Sequence, residues 1–202
     1  MEAHRGAGGL TARIVLWSVL LISLGCSKPS LPVTKKGKIE YADGPQPFTF
    51  ALVDGTHGPY AIPFTTYMPN DMKTASTTSD QGNAVRFIYD AADLEIFFFK
   101  PGTTEEQARA LTKEAAEKEV ATNNENNQFW EPKADDRYKW SLVQFNFIEG
   151  RAGIFGTVAL GRHGDLFFRL TQRYPENYEE GFVPLAERVL AEWRWADTGK
   201  GF

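Results

Sequence analysis

Cys26 is the one thiol in a chain of 202 residues, and a thiol can serve as a nucleophile, a metal ligand or a point of acylation. Two histidines follow it, His57 in Gly55-Thr56-His57-Gly58 and His163 in Gly161-Arg162-His163-Gly164. A zinc site takes three or four convergent ligands, and there is no second thiol and no His-x-x-x-His pair, so each histidine is expected to decorate a glycine turn. Acyl transfer needs Ser or Thr beside a base and an oxyanion cradle. There is no Gly-x-Ser-x-Gly, and Ser76, Thr77, Thr78 and Ser79 read as a solvated polar loop. Glycoside hydrolysis needs two carboxyls facing each other across the scissile bond. Asp90, Asp93, Glu95, Asp135 and Asp136 qualify by type, but a chain with 26 acidic residues supplies such candidates by chance. Asp135-Asp136 near Glu131 lack the alternating oxygens of a calcium loop. No phosphate-cradling glycine loop precedes a helix. The expectation is no catalytic residue, no metal ligand and no cofactor.

The chemistry left to Cys26 is set by what precedes it. Arg5 and Arg13 give a basic start, Ile14 to Leu24 an apolar stretch, and Gly25 a small residue before a cut. A bilayer-spanning helix takes about 20 apolar residues, more than this run supplies before Lys28-Pro29. Ile22-Ser23-Leu24-Gly25-Cys26 resembles the lipobox of bacterial lipoproteins, with Ser23 where Leu is commonest. The resemblance implies cleavage before Cys26 and acyl chains, such as palmitate, on the new N-terminal cysteine. Each buried methylene contributes about 0.8 kcal/mol, and two or three chains anchor permanently. The expected address is a lipid-held protein of the cell envelope, facing the periplasm or exterior. Ser27, standing where Asp would retain it at the inner membrane, favours the outer membrane in a Gram-negative cell.

Cleavage removes Arg5, Arg13 and Glu2, taking the net charge from −4 to −5. That balance argues against nucleic acid as a partner. With the thiol acylated, no disulfide is available and the core must hold by packing; 15 Phe, 7 Tyr and 5 Trp supply it.

Residues 26–47 read as a lipidated tether, because four prolines and clustered lysines break any apolar period. The head is expected from 48 to 202 as a single domain. Strands are predicted at Phe48 to Val53, Tyr60 to Met68, Ala84 to Tyr89 and Ala92 to Phe99. Pro101-Gly102 stops the fourth, and Thr103 with Glu106 predicts a capped helix from Thr104 to about Val120, with Ala108, Leu111 and Ala115 on its apolar stripe. A polar loop from Asn123 to Arg137 carries Phe129-Trp130, aromatic residues of the kind that anchor partners, and these two are the candidate partner contacts. A meander follows from Tyr138 to Phe147, Ala152 to Leu160 and Leu166 to Arg173, turning at Gly161 to Asp165. Helical spacing of Phe182, Leu185, Ala186, Val189, Leu190 and Trp193 predicts a closing helix from about Asn177, with Pro184 in its early turns. The sum is an α+β fold: an antiparallel sheet of about six to seven strands with two main helices packed on it.

Tyr67-Met68-Pro69-Asn70-Asp71-Met72, the strand running into Pro101-Gly102 and a Thr-capped helix, the hairpin over Gly161 to Asp165, and Tyr174-Pro175-Glu176 before a helix ending Trp193-Arg194-Trp195 resemble the PsbP-type fold. That fold occurs in extrinsic photosystem II proteins and in DcrB-type envelope lipoproteins. The resemblance implies a binding or assembly role toward another envelope component and transfers no site residue. The competing expectations are a binding module for a small lipid or glycan, favoured by a ring-lined pocket, and an envelope hydrolase, favoured by a buried carboxyl pair in one cleft.

Overall fold

A computed structural model describes residues 31–60, 62–120, 128–130, 138–150 and 153–202, with the backbone alone at Phe129 and Trp130. Cys26 with its leader, Glu131, Asp135 and Asp136 lie outside the described residues. In chain order the elements are β1 (Thr34–Tyr41), β2 (Gly44–Asp54), β3 (Phe64–Pro69), β4 (Lys73–Thr78), β5 (Gly82–Tyr89), β6 (Ala92–Phe99), α1 (Glu105–Glu119), β7 (Gln128–Trp130), β8 (Val143–Glu149), β9 (Ile154–His163), β10 (Leu166–Pro175), a 3-10 turn (Glu176–Tyr178), α2 (Glu179–Ala191) and β11 (Arg194–Trp195).

The strands make two sheets, one of seven in the order β4-β5-β6-β10-β9-β8-β7 and one of four in the order β1-β2-β3-β11. Every pairing is antiparallel, so the fold class is the expected α+β. Residues 31–202 form one compact unit.

The middle of the larger sheet is apolar on both faces because both faces are covered. On β6, Leu94, Ile96 and Phe98 pack into the main core with Phe64, Leu170, Phe182 and Val189. Phe97 and Phe99 point the other way, under Ala108 of α1. The helix α2 touches strands of both sheets, whereas α1 packs on β8, β9 and β10. Two β9 glycines are required by close approach. Gly156 and Gly161 stand opposite Phe147 and Phe168, whose rings lie 2.1 and 2.2 Å from where a Cβ would be.

Four expectations need correction. The stretch 34–47, read as tether, is β1 and the start of β2, paired from Thr34 opposite Ala51 to Tyr41 opposite Gly44. Its prolines and lysines disguised an edge strand that buries Ile39 and lays Gly37 against the Phe50 ring. Ser76, Thr77 and Thr78 lie on β4, not on a loop. Phe129 and Trp130 belong to β7, paired with β8, rather than to a continuous loop. Finally, the α1 capping box is Thr104 with Gln107, one residue later than expected. The adjacent Thr103 is spent on Lys100 O in the turn before it. Ala108 is buried as expected and Leu111 packs against the same cluster, while the other fully buried positions are Thr112 and Ala116 rather than Ala115.

Candidate functional site

A sheet edge exposes unpaired backbone groups, and proteins blunt such edges with short strands or lysines. Among the described residues, three of the four edges are short or blunted. β1 carries Lys35, Lys36 and Lys38, β11 has two residues and β7 has three. The fourth, β4, has six residues, Lys-Thr-Ala-Ser-Thr-Thr, all exposed and with a single charge at the start. It holds three threonines and no proline that would break an added ladder. A strand that buries no side chain is held mainly by its ladder to β5.

The ladder also says which groups face outward. Ser79 N–H donates to Gly82 O at 2.8 Å, making these two a hydrogen-bonded pair. Pairs alternate along an antiparallel ladder. Thr77, Ala75 and Lys73 therefore bond to Ala84, Arg86 and Ile88, while the N–H and C=O of Thr78, Ser76 and Thr74 point away from β5. Among the described residues no backbone hydrogen bond occupies them. On the side-chain level Ser76 is fixed, its Oγ 2.8 Å from the Tyr60 hydroxyl.

Ala75 stands opposite Arg86, and Arg86 opens a charged cleft of about 280 Å³ between the sheet and the last turns of α1. Arg86 Nη2 donates to Asp93 at 2.8 Å, and that bond holds the guanidinium's pKa above its usual value. Arg169 lies 3.4 Å from Glu95, and burial, the largest influence on it, pulls its pKa down. Arg173 meets Glu119 at 3.1 Å and Glu149 at 3.7 Å. Burial pushes the Glu119 carboxyl up, with Asp93 and Glu95 adding to that shift and Arg173 opposing it. The cleft thus brings together the sequence candidates Asp93 and Glu95, joined by Glu119, but each carboxylate already faces an arginine. Its size is at the bottom of the usual range of small-molecule sites, about 300–1,000 Å³. The network fastens α1 to the uncovered part of the sheet.

The raised Glu119 fixes the sign of a pH effect. A group whose folded pKa exceeds its unfolded one adds stability below the unfolded value, and that contribution is lost as pH rises through the folded value. Glu119→Gln removes this component. Urea midpoints of variant and native protein, compared from about pH 4 to about pH 7, are expected to diverge in the variant's favour as pH rises. A constant difference would contradict the burial of this carboxyl.

The remaining candidates are dispersed. Asp90 sits in the β5–β6 turn at φ +51° and accepts a hydrogen bond from the Tyr178 hydroxyl. His57 is exposed, 3.8 Å from Asp54. His163 does more than decorate its turn: its ring stacks on Trp195 at 4.4 Å and Nε2 lies 2.9 Å from Asp197, whose carboxyl that bond holds low. A separate groove of about 650 Å³ is lined by Tyr138, Trp140, Leu190 and Phe202, with Glu187, Arg194 and Lys200 at its polar side. Sequence reasoning missed both the groove and the β4 edge. Among the described residues no helix is long and apolar enough to cross a membrane.

No protein-family model matches this sequence, and no curated protein matches it. Among solved structures, the chain is similar to the solution structure of cyanobacterial PsbP (CyanoP) from Synechocystis sp. PCC 6803, at 9% sequence identity and a TM-score of 0.46, over 84% of this chain and 96% of that one.

Proposed function

We propose that the chain is a lipid-anchored, non-catalytic binding protein of the cell envelope, held by acyl chains on Cys26, whose head takes an extended segment of another envelope protein alongside β4. The observation that carries the reading is the undefended edge: six exposed residues with the backbone groups of Thr74, Ser76 and Thr78 turned outward, while among the described residues the other three edges are short or lysine-studded. Strand addition to such an edge draws affinity from main-chain hydrogen bonds. The paired arginines and carboxylates of the neighbouring cleft support binding over hydrolysis, since no carboxylate there is left without a counter-charge.

A second reading, a module for a small lipid or glycan, is favoured by the ring-lined groove beside Trp140 and Phe202. The two differ in which variants matter: β4 for a protein partner, the groove for a ligand.

The address is tested by fractionating cells that express the native chain or Cys26→Ala. Native protein is expected in the membrane fraction and the variant out of it, with unchanged cooperative unfolding of the head. Retention that ignores Cys26 would remove the anchor from the account.

A further inference from the structure

The pairing of residues 34–41 into β1 limits how far the head can stand from a membrane. Four residues, and so five backbone steps, separate Cys26 from Leu31, where the compact unit begins. Even fully extended they reach only about 17 Å. An acylated Cys26 therefore keeps the first strand close to the bilayer, within that reach. What the chain shows at that point suits the position. Among the described residues the exposed large hydrophobics are Leu31, Val33 and Leu142, and two of these lie within three residues of each other, at 50% and 76% exposure. They are not a frayed end. Leu52 N–H donates to Val33 O at 2.8 Å and the Tyr67 hydroxyl donates to Pro32 O at 2.8 Å, so the backbone is pinned to the fold while the two apolar side chains are displayed.

Charge completes the surface. Lys35 is structural, bonded to Glu192 at 2.5 Å and lying over the Tyr67 ring. Lys36 and Lys38 are exposed and make no ion pair among the described residues. Blunting an edge explains lysines, but it does not explain two exposed apolar side chains at the start of the same strand edge.

We infer that residues 31–38 form a membrane-apposed pad for an anionic bilayer surface, with Leu31 and Val33 in the interfacial zone and Lys36 and Lys38 among the headgroups. The inference rests on the anchored reading of Cys26 and adds an orientation to it: the β1 edge faces lipid. Interfacial binding scales with buried apolar area plus attraction to anionic lipid, and each lysine near such a surface contributes about fivefold to the ratio of apposed to free heads.

The test uses the native lipoprotein reconstituted into vesicles. With Cys26 acylated, Val33→Cys supplies a single free thiol for an environment-sensitive fluorophore, and Ser76→Cys supplies a control on β4. In vesicles that include the anionic lipid phosphatidylglycerol, the Val33→Cys probe is expected to be shifted to shorter wavelength and quenched by a headgroup-level lipid quencher, and the Ser76→Cys probe is not. Lys36→Gln with Lys38→Gln is expected to lower the apposed-to-free ratio about 25-fold, as is a move to purely zwitterionic lipid in direction. Protein retained on the vesicles with both probes equally wet, or quenching indifferent to the lysines and to lipid charge, would overturn the pad while leaving the anchor intact. Protein released from the vesicles would overturn the anchor and the pad together.

Discussion

Trp193→Ala is expected to lower the unfolding free energy of the head by about 3–5 kcal/mol, the cost of truncating a large buried ring. Trp193 is fully buried. Its indole stacks on Phe64 of the four-stranded sheet at 4.0 Å and 11°, and on Phe98 of the seven-stranded sheet at 6.2 Å and 25°. It also meets Phe202 at 5.2 Å and Trp195 edge-on at 5.4 Å. The ring therefore joins the two sheets, and a void there has rigid aromatic walls that cannot easily collapse. Against a typical total of about 5–15 kcal/mol the loss is severe. Trp193→Phe should cost well under half as much, because the indole N–H makes no hydrogen bond among the described residues and its loss leaves no partner orphaned. Denaturant midpoints of the two variants check this; a Trp193→Ala loss below about 1 kcal/mol, the level of an ordinary surface change, would mean the sheets are not joined through this ring.

Ser76→Pro is expected to abolish capture of the envelope partner and spare the head. Proline removes a backbone donor and is tolerated on an edge strand where that donor faces solvent. The ladder places the Ser76 N–H on the outer side of β4, so the β4–β5 bonds survive. A partner carbonyl left unpaired costs about 1–3 kcal/mol, and the ring also crowds the incoming strand, so affinity should fall at least about tenfold. Thr77→Pro is the contrast: its N–H belongs to the bond with Ala84, and that variant should damage the hairpin itself. Equal behaviour of the two prolines would contradict the deduced orientation of the edge.

The sequence was most readable where burial is two-sided. β6 and β10 announce themselves through Ile96-Phe97-Phe98-Phe99 and Leu166-Phe167-Phe168, and α2 through the spacing of Phe182, Leu185, Ala186 and Val189. Edge strands were not readable, because their physics runs against composition. β1 wears lysines, β4 is all Thr, Ser, Ala and Lys, and β7 sits among asparagines, each of which reads as loop. Thr103 and Thr104 each have an acidic or amide side chain three residues on, so the capping box was legible as a kind and ambiguous by one position. The charged cleft was invisible because its members meet only in the fold: Glu95 and Arg169 are 74 residues apart. The same holds for His163, whose partners Trp195 and Asp197 arrive with the C-terminal strand.

The central claim, that β4 is the docking edge of an anchored binding protein, is tested most directly by placing a photo-crosslinking residue at Thr78 and, separately, at Lys36, and irradiating native membranes. The account predicts one reproducible protein adduct from Thr78 that disappears with Ser76→Pro, and no such adduct from Lys36. No adduct from Thr78, or the same adducts from both positions, would contradict it.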